Sequence, residues 1–357
     1  MNLLLTSVGR RSYLVEYFKQ AMAGRGLVHT ANSDPLAPAL AYGDRAVVTP
    51  LIYTPEYIPF LHAYCLRNKI GAVLSLFDAD LPVLAANRDI FENDAIRVLV
   101  SSAEVIAACN DKYQMQQVLN QIGIAVPKTY RTPAQAAHAA EAGLITYPVM
   151  IKPRFGMGSI GIFEAENASD LRVLYEYAVR TVQRTYLKYE SAADPENAVL
   201  IQEKVAGPEY GLDIINDLSG NYRTTIVKRK ITMRAGETDA AETADVPALR
   251  RLGRRISETL HHIGNLDADV ILTDAAPMVL DLNARFGGGY PFSHAAGADL
   301  PRAMVAWLEG KEADPKLLTA EIGVLSYKDI RIQRRAAAPQ NKPHDEPQKG
   351  PQKGMET

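Results

Sequence analysis

Over the first hundred residues, short apolar runs alternate with amphipathic stretches at helical spacing. Leu3–Thr6, Val28–Ala31, Ala46–Val48, Ala72–Leu76 and Arg97–Val100 read as strands, while Tyr13–Met22, Glu56–Arg67 and Leu81–Arg88 read as helices. Strands that alternate with helices pair in parallel through right-handed crossovers, so the pattern predicts a doubly wound α/β sheet. Ligands on such sheets gather at the carboxyl ends of the strands. Three polar clusters fall at these ends: Ser7 to Arg11, Asn32 to Asp34 and Asp78 to Asp80.

After Asn110 the pattern changes. Lys112–Ile122, Pro133–Ala142, Ala168–Arg184 and Pro247–His262 read as helices. Val126–Tyr130, Val149–Pro153, Ile160–Glu164 and Val199–Val205 read as strands, followed by the hairpin-like pair Tyr210–Asn216 and Tyr222–Arg229. A further strand pair lies around Asp269–Thr273 and Met278–Asn283. Helices and antiparallel strands are more segregated here, in the α+β style. The last stretch, residues 331–357, has no apolar period; Pro339, Pro343, Pro347 and Pro351 recur every four residues and Q-K-G is written twice. Such a composition predicts a disordered, solvated tail.

Composition narrows the picture by exclusion. A chain of 357 residues with 47% hydrophobic residues supports two domains or three small ones. Lys and Arg number 39 against 41 Asp and Glu, and a net charge of -2 gives no electrostatic pull toward nucleic acid. Two cysteines, Cys65 and Cys109, build neither a disulfide framework nor a thiolate zinc site, and a reducing cytosol is the simplest setting. No apolar run reaches the roughly 18 residues of a membrane span, and the N-terminus lacks the charge-first layout of an export signal. The expectation is a cytoplasmic protein working on small molecules, with no nucleic acid and no membrane as partner.

Four stretches carry candidate chemistry. The first turn reads T-S-V-G-R-R rather than G-x-G-x-x-G, which argues against a dinucleotide there. Arg10 and Arg11 either hold an anion or open a helix as solvated residues. In Tyr147–Ile162 an apolar strand delivers Lys152, and Gly156, Gly158, Ser159 and Gly161 follow. Glycines let backbone N–H groups approach an anion closely, and a nearby lysine adds charge, so the stretch suits phosphate. It is not a Walker A loop, because the lysine precedes the glycines. A structural hairpin would use the same glycines.

The third stretch is Val199–Asp213. The backbone of Gln202 to Val205 could face an adenine edge, and Glu209, six residues beyond Glu203, could accept hydrogen bonds from both ribose hydroxyls. The fourth is Asp267–Gly289. Alternation along a strand puts Asp281, Asn283 and Arg285 on one face. The turn Asp274–Pro277 folds the preceding strand back and brings Asp267 or Asp269 to the same end. Two carboxylates and an amide oxygen form a hard oxygen set that suits Mg2+ beside nucleotide phosphates. Arg285 could clamp a developing phosphate.

Taken in order, these motifs resemble the ATP-grasp superfamily from about Asn110 to about Trp307. N-A-R-F-G-G-G-Y-P-F-S-H, R-A-G-E-T-D at Arg234–Asp239 and the opening T-S-V-G-R-R-S-Y-L-V-E resemble its short carbamoyl-phosphate-synthase-like branch, which includes the lysine ligase of pyrrolysine biosynthesis. The resemblance implies a Rossmann-like pre-ATP-grasp domain over 1–110 and a two-lobed ATP-grasp domain over 111–310. Its nucleotide-clamping lobe would lie near 125–205 and its metal-bearing lobe near 206–310.

It further implies that Lys112 and Lys152 contact ATP phosphates and that Gly156–Gly161 is the lid over them. Glu203 and Val205 would read adenine, and Glu209 the ribose. Asp267, Asp281 and Asn283 would hold magnesium, and Arg285 would stand by the transferring phosphoryl group. Many relatives carry Glu where this chain has Asp281, and Glu or Gln at the Asp267 position. A side chain one methylene shorter shifts a metal and bears most on a second ion.

The implied activity is an ATP-dependent carboxylate–amine ligase, with a small-molecule acid and an amine as its substrates. A carboxylate, of an amino acid or similar small acid, would be activated as an acyl phosphate and coupled to the amine. Arg10, Asp78, Arg234, Glu237 and His294 are the candidate substrate contacts. Two other readings stay open: a carboxylase or purine-pathway type reaction on bicarbonate or formate, and a nucleotide-binding regulator without ligase chemistry. The oligomeric state is open as well, a homodimer included.

Overall fold

The structure, a computed structural model, describes residues 1–156 and 160–333. Gly158 and Ser159, and the tail from residue 334 onward, lie outside the described residues.

Five strands form the first sheet: β1 (Asn2–Thr6), β2 (Val28–Asn32), β3 (Arg45–Val48), β4 (Ile70–Ser75) and β5 (Arg97–Val98). All pair in parallel, in the order β3-β2-β1-β4-β5. Leu3, Leu4 and Leu5 are fully buried because helices cover both faces of the sheet. Helix Ser12–Met22 packs Leu14, Val15 and Phe18 inward, and helix Tyr57–Arg67 does the same with Tyr57, Leu61 and Cys65. The strand order reverses between β1 and β4, so the crevice of this sheet opens beyond their carboxyl ends. Ser7–Arg11 and Phe77–Asp80 occupy it. Buried Asp80 pins both strand ends, accepting hydrogen bonds from Thr6 Oγ1 at 2.6 Å, Ser75 Oγ at 2.8 Å, Ser7 Oγ at 3.0 Å and Tyr57 OH at 2.8 Å.

A second, antiparallel sheet contains β6 (Thr129–Tyr130), β7 (Val149–Pro153), β8 (Phe163–Ala165) and β9 (Val199–Glu203), in the order β6-β9-β7-β8. Helix Ala168–Arg184 covers it with Leu171, Ala178 and Val182. The strand expected over Val126–Tyr130 shrinks to two residues, since Pro127 has no N–H to offer a ladder.

The third sheet contains β10 (Glu209–Asn216), β11 (Tyr222–Arg234), β12 (Glu237–Thr243), β13 (Asn265–Leu272), β14 (Pro277–Asn283) and β15 (Leu325–Tyr327). Its order is β14-β13-β10-β11-β12-β15, antiparallel throughout. Arg234 and Glu237, named above as candidate substrate contacts, sit at a hairpin closure in which they pair with each other. Helix Pro247–Leu260 packs Leu249, Leu252 and Ile256 onto this sheet. Helix Leu300–Leu308 lies against Ser12–Met22, and its Leu300, Met304 and Val305 share one core with Leu14 and Phe18. That seam fixes the parallel sheet to the third sheet. Among the described residues, no helix is long and apolar enough to cross a membrane.

Candidate active site

A cavity of about 380 Å³ opens among the crevice of the first sheet, the end of β7 and the open face of the third sheet. Its acidic wall is the β13–β14 pair. Asp269 stands opposite Asp281 in the ladder and Asp267 opposite Asn283, and all four line the cavity. Alternation explains this placement: Ala268 falls between the two aspartates of β13 and Leu282 between Asp281 and Asn283, and both are buried.

The basic wall answers residue by residue. Lys112 begins a helix capped by Asp111, whose Oδ1 accepts from the N–H groups of Tyr113 at 3.0 Å and Gln114 at 3.2 Å. Lys112 Nζ lies 3.3 Å from Asp281 Oδ2 and donates to the Gly156 carbonyl at 2.7 Å. Gly156 has φ +98, and a Cβ there would meet Leu187 at 2.1 Å. Lys152, at the end of β7, donates to the Leu280 carbonyl at 3.3 Å. Burial pushes its ammonium down to about 8; Asp281 opposes that shift and Lys112 adds to it.

Two lysines that the sequence reading missed complete this wall. Lys228 and Lys230 alternate on β11, so both face the cavity. Lys230 bridges Asp269 and Glu209, each at 2.6 Å. Burial lowers its pKa, but those two carboxylates outweigh burial and hold it above the usual lysine range. Lys228 is almost fully buried on Asp213, which also accepts from Ser293 Oγ and, at 3.1 Å, from Asn265 Nδ2. The lysine–any–lysine spacing at 228 and 230 was the available signal.

Arg285 lines the cavity but is already engaged. Its Nε donates to Asp78 at 2.7 Å, while Nη1 lies 3.5 Å from Asp267 and donates to the Phe286 carbonyl at 3.0 Å. Arg11 donates to that same carbonyl. Burial, reinforced by Asp269, raises the Asp267 carboxyl to about 6, and Arg285 pulls it back. Gly287 closes over this carboxylate, leaving no room for a Cβ.

The remaining candidates are spread more widely. Arg10 and Glu237 are on the cavity wall, and Gly161 is not. Asp78 faces a small adjoining crevice shared with Lys112 and Asn283. Glu203 Oε1 accepts from the Lys128 N–H at 2.9 Å, half-buried Val205 follows in an otherwise exposed connection, and Glu209 is held by Lys230. None of these three is on the wall of this cavity. Arg234 is turned outward, paired with Asp239 at 2.7 Å. His294, a candidate substrate contact, stacks on Tyr17 with centroids 3.6 Å apart and lies off the wall of this cavity.

Comparison with known proteins agrees with this architecture. Residues 3–99 match the family model described as the PylC-like N-terminal domain, and residues 109–289 match that of the ATP-grasp domain. The chain belongs to the ATP-grasp ligase family, with a PylC-like domain before the ATP-grasp domain. It is 24% identical over 301 residues to the carbamoyl phosphate synthase large chain of Pseudothermotoga lettingae, a match covering 80% of this chain and 25% of that protein. The chain thus spans about a quarter of the length of that relative.

Among solved structures, its fold is similar to biotin carboxylase from Campylobacter jejuni, with TM-score 0.67, 18% identity and 89% of this chain against 73% of the other covered. It is also similar to N5-carboxyaminoimidazole synthetase from Staphylococcus aureus complexed with ADP, with TM-score 0.66, 13% identity and coverage of 90% and 79%. An L-amino acid ligase from Bacillus licheniformis matches with TM-score 0.60, 18% identity and coverage of 86% and 74%.

Proposed function

We propose that this enzyme is an ATP-dependent carboxylate–amine ligase that activates a small organic acid as an acyl phosphate and couples it to an amine. The observation that carries the reading is the convergence of Lys112 and Lys152 with Asp269, Asp281, Asn283 and Arg285 on one cavity. Binding a nucleotide alone asks for phosphate-holding cations. It does not ask for a buried arginine and an acidic pair at the reacting end as well.

The chain divides into a Rossmann-like domain, 1–110, and an ATP-grasp domain, 111–310. Lys112 and Lys152 hold the phosphates of ATP beside Gly156. The adenosine lies beyond them, along Glu203, Val205 and Glu209; Lys230 supports this direction by joining Glu209 to the cavity wall.

Magnesium fits the donor set. It takes one or two carboxylates together with nucleotide phosphates, and Asp269, Asp281 and Asn283 line one wall of the cavity. Asp281, Asn283 and Asp269 would hold it. Asp269, more than Asp267, is the second carboxylate, because it stands directly opposite Asp281 in the ladder; an ion there would take over the place of the Lys230 ammonium, 2.6 Å from Asp269. A bound ion there neutralises phosphate charge.

A substrate carboxylate oxygen bonds to the γ-phosphorus as the bond to ADP breaks, with ADP taking the electron pair. Arg285 and Lys152 supply position and charge, and no protein nucleophile is required. The amine nitrogen then bonds to the acyl carbon, and the carbon–oxygen bond breaks with its electrons leaving on phosphate. Of the two protons an ammonium must lose, one leaves with phosphate and one goes to solvent.

The test is ADP release with magnesium, ATP and pooled amino acids, beside an Asp281→Ala, Asn283→Ala control. Release that needs particular acids and amines, and stops in the control, supports the ligase. ATP binding with no release from any pool counts against it.

A further inference from the structure

A second, larger hollow adjoins the phosphate cavity. It measures about 1440 Å³, and Arg10, Glu237 and Phe292 line both spaces, so the two meet at a neck formed by these residues. The floor of the larger hollow is helix Ser12–Met22, through Tyr13 and Tyr17, together with Leu40 and Tyr42 of the segment after β2.

Its rim is unusual for a surface. Leu36 is 74% exposed, Tyr327 72% and Ile330 68%, and these are three of the four most exposed large apolar side chains among the described residues. Grouped exposed apolar residues around one concave surface mark a binding site, because scattered ones would not converge.

The neck carries charge of both signs. Arg10 is exposed and makes no hydrogen bond or ion pair among the described residues, so recruiting it breaks no existing contact. Glu237 is tethered by Lys328 at 3.0 Å, and Lys328 in turn sits 5.9 Å from the Phe292 ring centroid. A free guanidinium beside a carboxylate, opening on one side to phosphates and on the other to apolar surface, matches a zwitterion with a large side chain.

We propose that the outer groove holds the side chain of the amine substrate, an α-amino acid with a bulky apolar or aromatic side chain. Its carboxylate is read by Arg10, and its amine is drawn past Glu237 toward the acyl phosphate. This rests on the ligase reading and adds the class of acceptor. Bicarbonate or ammonia would leave the groove without a purpose.

The experiment has two arms. In the first, ADP release is measured with a fixed pool of acids while the added amine is varied. Phenylalanine, tryptophan and leucine should be used at least tenfold better, by kcat/KM, than glycine, alanine or aspartate. Leu36→Asp should remove most of that preference while leaving the KM for ATP unchanged; Leu36 is exposed and lies outside the catalytic machinery. Equal use of small polar amines, or an unaltered preference in Leu36→Asp, overturns the proposal.

In the second arm, phenylalanine binding to the full chain is followed by saturation-transfer NMR, without turnover. Binding should weaken about tenfold or more in both Arg10→Ala and Leu36→Asp. No binding to the wild type, or binding indifferent to both changes, overturns the proposal. So does a dimer in sedimentation that Leu36→Asp dissociates, which would give the groove to a second copy. Phenylalanine that binds at the groove while no acid yields ADP sinks the ligase reading and leaves the groove standing.

Discussion

Arg285 and Asp78, 207 positions apart, meet through a 2.7 Å hydrogen bond that joins the end of the β13–β14 pair to the crevice of the parallel sheet. The pair is nearly buried, and Asp267 stands on the other side of the arginine at 3.5 Å. Burial works against the guanidinium, but the two carboxylates hold its pKa above the usual value. This end of the cavity is therefore assembled by both halves of the chain.

The first prediction concerns that pair. Breaking a buried ion pair by removing one partner costs about 3–5 kcal/mol, and Asp267 offsets part of this. Asp78→Ala should lower the melting temperature and cut kcat by at least about tenfold, with little change in the KM for ATP. Asp78→Asn, which keeps a hydrogen-bond acceptor, should recover part of both. An unchanged melt in Asp78→Ala contradicts the role assigned to the pair.

The second concerns Gly287. A Cβ on this residue would stand 2.0 Å from the Asp267 carboxyl carbon, so Gly287→Ala must displace Asp267 or the loop. Overpacking of this kind costs about 1–3 kcal/mol. The double variant Gly287→Ala, Asp267→Ala should lose less stability than the two single losses added, because the clash disappears with the carboxylate. Simple additivity in denaturant melts would contradict the geometry.

The third is a pH dependence. Lys152 sits at about 8 in the nucleotide-free protein, so its positive charge is lost as pH rises through that value. ATP affinity should be highest below pH about 8 and fall above it. Lys152→Arg, which stays charged, should flatten the profile. A wild-type affinity that is constant from about pH 7 to 9 would refute the assignment of Lys152 to phosphate.

The fourth separates the two aspartates of β13. Asp269→Asn should raise the magnesium concentration needed for half-maximal rate. Asp267→Asn should lower kcat through Arg285 while leaving the magnesium requirement nearly unchanged. Titration of magnesium at saturating ATP distinguishes them, and the opposite pattern would return the metal to Asp267.

Much of this site was legible before the structure. A strand's two-residue period placed Asp281 and Asn283 together, and the Asp274–Pro277 turn implied the returning strand. Choosing between Asp267 and Asp269 was not legible, because ladder register depends on a bulge after Asp269 that no local pattern announces. Leu3–Thr6 and Ala168–Arg184 announced themselves by period and length, and the observed elements agree. Arg234–Asp239 did not. There Gly236, with φ +79, makes the turn of a hairpin that the charges around it do not announce. Helices Tyr290–Ala295 and Leu300–Leu308 were missed, being short and opened by prolines after glycine- and aspartate-bearing turns. Lys228 was missed because its partner Asp213 is fifteen residues away, on the neighbouring strand. The Arg285–Asp78 bond depends on how the halves pack, and one sequence does not encode that in any local pattern.

The central claim is an acyl phosphate. Once a productive acid and amine are known, the direct measurement is turnover with the acid's carboxylate labelled with heavy oxygen, followed by mass spectrometry of the phosphate released. Attack of that carboxylate on ATP predicts one heavy oxygen in each phosphate. Phosphate that carries oxygen only from ATP and water would contradict the mechanism.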